Sequence, residues 1–279
     1  MRTLAPLVTV VIPTYNSQRT LHQCLASTQR QTYRNVETIV VDRHSMDETT
    51  QIAKRFGTKL FNVTLERSTA KNLGARKASG DFLMFADSDM ELHPKTIEEC
   101  VSLCLERGFD AIVIPLTTVA AGFLAKCRKL EVELYADDPN SSSMPRFFTR
   151  KTFLSVNGFD ESLVCGEDYD LARRYEKHGY TIGTAALPIK HLEGRLSLKG
   201  IVLKAHYYGK TVIPLFSKEP TLALRGYCPT RFAWNIRRLL RQPVCFAGIS
   251  MIKLCEYVAY LTGVFADILS RRPMIRDKR

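Results

Sequence analysis

Phe82-Leu83-Met84-Phe85-Ala86-Asp87-Ser88-Asp89 runs from four large apolar residues straight into two carboxylates one residue apart. A short apolar run of this kind has the length and composition of a buried strand, and an Asp-x-Asp after it presents both acids beyond the strand's carboxyl end. A divalent cation held there would bridge them to a nucleoside diphosphate. Asp-Ser-Asp also makes a good turn or helix cap, so the weight of the motif depends on its surroundings.

Further apolar runs with strand character lie at 7–12, 36–41, 59–63 and 110–115, and helix-like segments rich in Ala, Leu, Lys, Arg, Glu or Gln fall near 17–31, 47–56, 69–79 and 94–107. Continuous Val/Ile strands alternating with helices predict an α/β fold with a Rossmann-like, mostly parallel sheet flanked by helices on both faces. From about Thr117 the alternation loosens. A polar, turn-rich stretch at 137–143 is placed to close over a site, followed by a short strand near 146–149, a helix from Glu167 to His178 and strands near 181–191. The expected organisation is one domain over 1–225, with a nucleotide-sugar half at 1–116 and an acceptor half at 117–225, then a basic and apolar helical extension at 226–279.

The net charge of +12 is unevenly spread: residues 1–189 hold 23 Lys/Arg against 23 Asp/Glu, and residues 190–279 hold 17 against 5. That asymmetry calls for an anionic partner. Aromatics are not interleaved with the basic residues in a stacking pattern, so nucleic acid is not expected. Val244 to Leu269 is long and mostly apolar, but Lys253 and Glu256 split it into uncharged runs of 9 and 10 residues, short of a clean bilayer span. With Arg231, Arg237, Arg238 and Arg241 before it and Arg271-Arg272 after it, it fits a helix lying among lipid headgroups; the competing reading packs it on the catalytic domain or on a dimer partner. The amino terminus enters a strand without a signal peptide's apolar core, which places the protein in the cytoplasm, peripheral to the cytoplasmic face of a membrane. Eight cysteines without a Cys-x-x-Cys pair read as reduced thiols. No Gly-x-Gly-x-x-Gly or Walker sequence occurs, which argues against dinucleotide and P-loop chemistry.

Ligands bind beyond the carboxyl ends of parallel strands. The loop Pro13-Thr14-Tyr15-Asn16 after the first strand, and Asp42 at the end of the second, therefore face the same crevice. Asp42 is placed to accept from a base N–H or a ribose hydroxyl. The third segment supplies Glu66-Arg67-Ser68, followed by Lys71 and Asn72 on the opening helix, Lys71 suited to phosphate and Asn72 to ribose or diphosphate. Each also has an ordinary reading as a cap or a solvated charge.

Val11-Ile12-Pro13-Thr14-Tyr15-Asn16, then Val41-Asp42-Arg43-His44-Ser45-Met46-Asp47-Glu48-Thr49, Asp87-Ser88-Asp89, Gly158-Phe159-Asp160-Glu161 and Gly166-Glu167-Asp168, in that order over about residues 7–195, resemble the family 2 glycosyltransferases with the GT-A fold. The resemblance implies an inverting, metal-dependent transferase that moves a hexose from a UDP- or GDP-sugar to a lipid-linked or glycan acceptor. It makes Asp89 a direct ligand of Mn2+ or Mg2+, Asp87 a contact to ribose or to the metal's shell, and His191 a third ligand. Ser88 joins the nucleotide-sugar contacts. It makes Asp168 the base that deprotonates the acceptor, with Glu167 bracing the site. Arg43 stands where the family's second acid helps to hold the base, and His44 replaces a glycine, which leaves the choice between UDP and GDP open. The alternatives are a polyprenyl-phosphate sugar synthase, whose acceptor is already an anion, and a non-catalytic binder of sugar nucleotides or nucleic acid.

Overall fold

The computed structural model describes residues 5–136, 144–220 and 239–271. The stretch 137–143 and Arg231, Arg237, Arg238 and Arg272 lie outside them. The chain divides into two units. One comprises residues 1–119, 142–161 and 167–193; the other comprises 120–141, 162–166 and 194–279. The second unit thus gathers segments from both sides of position 225, where the sequence suggested a single break.

The first unit is built on β1 (Val8–Thr14), α1 (Gln18–Gln29), β2 (Val36–Asp42), α2 (Thr49–Arg55), β3 (Lys59–Asn62), α3 (Arg67–Lys77), β4 (Phe82–Phe85), β5 (Met90–Glu91), α4 (Thr96–Arg107), β6 (Ala111–Val113) and β7 (Leu116–Ala121). Helix α5 (Phe123–Ala136) belongs to the other unit. The first unit resumes with β8 (Pro145–Thr149), α6 (Arg150–Ser155), α7 (Glu167–Lys177), β9 (Ile182–Thr184) and β10 (Ile189–Arg195). Seven strands form one sheet in the order β3-β2-β1-β4-β8-β6-β9. Strands β1 to β4 are parallel, β6 and β9 are parallel, and β8 runs antiparallel between β4 and β6. The sequence led us to expect a mostly parallel sheet, and the sheet is that, with one reversed strand inserted. A second sheet, β5-β10-β7, pairs Met90 with His191.

Alternation along β1 explains the unbroken apolar runs. Val8, Val10 and Ile12 pack into one core with Leu21, Leu25, Val40 and Ile97, while Val11 enters another with Ile39, Leu83, Phe85 and Phe148. Both faces of the sheet are buried, so residues of both parities are mostly apolar; Thr9, buried in β1, donates its hydroxyl to Glu37. Phe85 packs against Phe148, Phe153 and Phe159 at ring separations of 5.8, 5.0 and 5.1 Å. This cluster anchors the end of β4, and each buried ring contributes about 1.5–3 kcal/mol. The residues that follow, Ala86 and Asp87, leave the sheet from a rigid point.

The second unit contains α5, α8 (Leu198–Thr211), α9 (Ile213–Lys218) and α10 (Pro243–Arg271). Its core holds Cys127, Leu130 and Leu134 from α5, Ile201 from α8, and Leu239, Ile249 and Ile252. Helices α8 and α10 approach so closely that a Cβ on Gly209 would lie 2.1 Å from the Tyr260 carbonyl oxygen, and one on Gly263 2.2 Å from that of His206. Only glycine fits at either position. Helix α10 is one piece, long and apolar enough to cross a membrane by length and composition. Lys253 and Glu256 do not interrupt its outer surface. They turn inward and, with Arg128 and Glu131 of α5, form a closed network: Arg128 pairs with Glu131 at 2.6 Å and Glu256 at 2.5 Å, and Lys253 pairs with Glu256 at 2.7 Å and with Glu131. The exposed face of α10 carries Val244, Met251, Leu254, Val258, Leu261 and Phe265. This charge-free stripe fits a membrane-associating extension.

Candidate active site

The site lies wholly within the first unit. Because β1, β2 and β4 are parallel, Thr14, Asp42 and the Asp87–Asp89 segment emerge at one edge of the sheet. Asp42 is fully buried. Its Oδ1 accepts from Thr14 Oγ1 at 2.7 Å and Ser45 Oγ at 2.6 Å, and its Oδ2 accepts from Ser45 N at 2.7 Å. Where the sequence pointed it at a base or ribose, the structure has it tying the β1 and β2 loops together. Asn16, at φ +47°, accepts from Met46 N at 2.9 Å through its side chain, and its own N–H donates to Ser45 Oγ at 2.8 Å. Asp47 joins the same scaffold, accepting from Gln18 N at 3.1 Å and Thr49 N at 3.0 Å, so one carboxylate serves the first turns of α1 and α2. Tyr15 is left 59% exposed, with the Arg43 guanidinium 5.7 Å from its ring centre and Arg43 itself paired to Glu66 at 2.8 Å. Pro13 holds its place in β1 opposite Val41. Ser88 Oγ donates to Ser17 Oγ at 2.8 Å.

The two acids of the opening motif part company. Asp87 pairs with Arg146 of β8 at 3.2 Å. Burial works to raise its pKa, but the charges of Arg146, then Lys71, Arg67 and His191, outweigh it and hold the carboxyl well below the usual carboxylate range. Asp89 instead meets His191, Oδ2 to Nε2, at 3.2 Å. The β5–β10 pairing makes this contact, reinforced by Leu192 N donating to Asp89 O at 2.7 Å. Among the described residues no group of three His, Cys, Asp or Glu side chains could hold a metal by itself. Asp87, expected in the metal's shell, is committed to Arg146, and Asp89 with His191 offers one carboxylate oxygen and one imidazole nitrogen. That pair suits Mn2+ or Mg2+ when phosphate oxygens and water fill the remaining positions. Beside them Cys24 is pushed up to about 12, by burial and then by the charges of Asp89 and Asp87, and stays a thiol. The seven cysteines among the described residues are free.

Opposite, α3 faces the start of α7. Arg67 pairs with Glu167 at 2.8 Å; Lys71 lies 3.3 Å from Asp168 and 3.5 Å from Glu167. Glu167 is buried, and its pKa is raised by that burial and by Asp168, against the opposing charges of Lys71 and Arg67. Asp168 keeps 21% of its side chain exposed. Asn72 was expected at ribose or diphosphate, but it is buried and fully occupied, donating to Phe159 O at 2.8 Å and Glu161 Oε1 at 3.0 Å and accepting from Phe159 N at 2.9 Å. The loop it grips needs Gly158, at φ +63°, where a Cβ would come within 2.5 Å of Asn72 Oδ1. Sequence reasoning missed Arg146; its one signal was a lone charge inside Pro145-Arg146-Phe147-Phe148, an otherwise apolar strand.

The first unit therefore offers one carboxylate–imidazole pair, Asp89 with His191, and one partly open carboxylate, Asp168, at a helix amino terminus. Comparison with known proteins agrees. Residues 9–161 match the family model described as glycosyl transferase family 2. The 4,4′-diaponeurosporenoate glycosyltransferase of Staphylococcus haemolyticus is 36% identical over 276 residues, covering 88% of this chain and 69% of that protein. Glycosyltransferase AglE of Haloferax volcanii is 28% identical over 198 residues, and the match covers 65% of each, so the chain spans less than two thirds of that relative. Among solved structures, a mannosyltransferase from Pyrobaculum calidifontis in complex with GDP-Man and Mn2+ aligns over 98% of this chain and 77% of its own, with a TM-score of 0.57 and 20% identity. S. aureus TarS 1-349 in complex with UDP aligns over 95% and 92%, with a TM-score of 0.54 and 16% identity. At these identities the solved structures bear on the fold alone.

Proposed function

Since this chain belongs to glycosyl transferase family 2, we propose that it moves a hexose from a UDP- or GDP-sugar to a lipid-linked or glycan acceptor, with inversion at the anomeric carbon. Two arrangements within a single unit support this reading: Asp89 paired with His191 beyond β4, and Asp168 partly exposed at the start of α7. A bound Mn2+ or Mg2+, held by Asp89 and His191, would supply Lewis-acid neutralisation of the diphosphate's charge. The chain's own residues do the rest. Tyr15 and Arg43 offer an exposed surface for the base. Arg146 keeps Asp87 ionised and fixed at the end of β4. Asp168 takes the proton from the acceptor hydroxyl as it attacks, and Glu167, held by Arg67, braces the start of α7.

The acceptor's source follows from the second unit considered by itself. Among the described residues the exposed side chains of α10 carry no charge, Arg128 and Glu131 of α5 pair with Glu256 and Lys253 of α10, and residues 190–279 carry 17 Lys/Arg against 5 Asp/Glu. This supports peripheral contact with the cytoplasmic face of an anionic membrane. Flotation with phosphatidylglycerol vesicles, compared with phosphatidylcholine vesicles, tests it: Leu254→Ser with Leu261→Ser should abolish flotation, and unchanged flotation sinks it.

A thermal-shift panel of UDP-, GDP- and dTDP-sugars, with and without Mn2+, tests the donor reading, because a ligand that binds only the folded state raises its melting temperature. A metal-dependent shift with one donor is the expected result; no shift with any of them counts against it. A second reading, an acceptor that is already an anion, is favoured by the relative named for 4,4′-diaponeurosporenoate, a carboxylate. Such an acceptor needs little help from a base, and Asp168→Asn would then reduce transfer only modestly.

A further inference from the structure

Lys71 is buried to 2% exposure, yet it carries the charge best suited to a phosphate. It has no opening toward one. Its ammonium sits 4.6 Å above the centre of the Phe159 ring, 3.3 Å from Asp168 Oδ1 and 3.5 Å from Glu167 Oε1. Its neighbour Asn72 pins the Gly158–Glu161 loop that supplies Phe159, and Arg67, one turn earlier, takes Glu167. Helix α3 therefore meets the first turn of α7 with two cations at i and i+4 against two adjacent acids.

We propose that Lys71 is a positioning residue: from its buried seat it spans Glu167 and Asp168, fixing the Asp168 carboxylate's orientation and keeping the acid pair from sharing a proton. It acts through Asp168 and does not bind the donor. This deepens the functional reading, since it rests on Asp168 being the acceptor's base. The physical argument is one of number. Two carboxylates on neighbouring residues, one of them buried, repel each other and favour retention of a proton by the pair. Arg67 alone neutralises one of them. A second cation between the two allows both to stay charged, and the aromatic ring beneath it supplies a cation–π contact where water is excluded. A lysine out of solvent is held in place by these three contacts. Among the described residues the charges acting most on Glu167 are Asp168 from its own helix and Lys71 and Arg67 from α3.

Lys71→Met, Lys71→Arg and the unaltered protein decide the matter through two readings that need no turnover. The first is the side-chain carboxyl 13C titration of Glu167, assigned by loss of its signal in Glu167→Gln. Lys71→Met should raise its midpoint by about one pH unit or more, and Lys71→Arg should restore it in large part. The second is the affinity for UDP and GDP in the presence of Mn2+, measured by calorimetry, which should change less than about twofold, well under the tenfold that one lost phosphate contact would give. An unmoved Glu167 titration overturns the proposal, and so does a tenfold loss of nucleotide affinity, the result a phosphate ligand would give. Where transfer is measurable, the acid limb of the pH–rate profile should also move to higher pH in Lys71→Met. If the protein transfers no sugar at all, the functional reading fails while the titration still judges Lys71. Should Lys71→Met not fold, Lys71→Gln carries the same readings.

Discussion

Two clusters in this molecule contain the same charges, two cations and two carboxylates, and do opposite things with them. In the helical unit, Arg128, Glu131, Lys253 and Glu256 close on one another at 2.7 Å or less, with Glu131 only 1% exposed. In the sheet unit, Arg67, Lys71, Glu167 and Asp168 are looser, with Lys71 3.3 and 3.5 Å from its partners and Asp168 partly open to solvent. A closed quartet satisfies every charge against another and leaves no carboxylate with spare basicity for a ligand. An open one keeps a carboxylate fixed yet reachable. The difference teaches where to look for chemistry in a charged cluster: at the member whose partner is present but slack.

The contrast can be broken most forcefully at Asp168. Asp168→Asn should lower transfer to a hydroxyl acceptor by about 10²- to 10⁴-fold while leaving UDP or GDP affinity intact, read by single-turnover transfer and calorimetry on the same preparation. In the closed quartet the equivalent insult costs stability instead. Arg128→Met should destabilise the protein by about 2–3 kcal/mol in denaturant titration, the usual penalty for half a buried pair reduced because Arg128 keeps partial access to water. Activity per folded molecule should be unchanged.

Acid and base sharpen the comparison further, because the two clusters shift their glutamates in opposite directions. Burial raises the pKa of Glu256, but Lys253 and Arg128 overcome it, so the net shift is downward. Its stabilising contribution is present above its unfolded value and is lost as pH falls through the lower folded one. Glu167 is shifted upward, by burial and by Asp168. The folded state therefore holds its proton more tightly, and stability is lost as pH rises from the ordinary glutamate range through the folded value. Melting temperature against pH should therefore lose part of its acid decline in Glu256→Gln, and part of its decline above the ordinary glutamate range in Glu167→Gln. The smallest effect belongs to the exposed Arg43–Glu66 pair, 44% and 41% open. Arg43→Ala should move stability by less than about 0.5 kcal/mol, measurable only as a slight change in denaturation midpoint.

Much of the sheet unit was legible because its signals are local. Val8–Thr14, Val36–Asp42 and Phe82–Phe85 announce themselves as strands through short runs dominated by apolar residues, and Asp42 and Asp87 fall where two of these parallel strands end. Strand β8 was visible, but its position was not: that it enters reversed between β4 and β6, bringing Arg146 to Asp87, depends on pairings between residues far apart in the chain. The direction of Lys71 and Asn72 was hidden for a related reason. A helix start can be located from composition, but the side it shows to another helix is decided by packing. The same blindness to facing made Lys253 and Glu256 look like breaks in an apolar run, when both project from the inward side of α10. Helix α5 and strands β5 and β7, in segments of mixed polarity, were not marked, and only the start of β10 fell within the strands expected near 181–191.

The inserted strand also has a consequence for how the chain comes into being. Strand β4 pairs with β1 on one side as soon as both exist, but its other neighbour begins only at Pro145, some 60 residues later in synthesis. For that interval a row of unsatisfied amides and carbonyls beside Phe82–Phe85 stands open at the edge of a half-built sheet, in the segment that leads to Asp87 and Asp89. A nascent chain stalled between these two points would be the form most prone to stick to its neighbours.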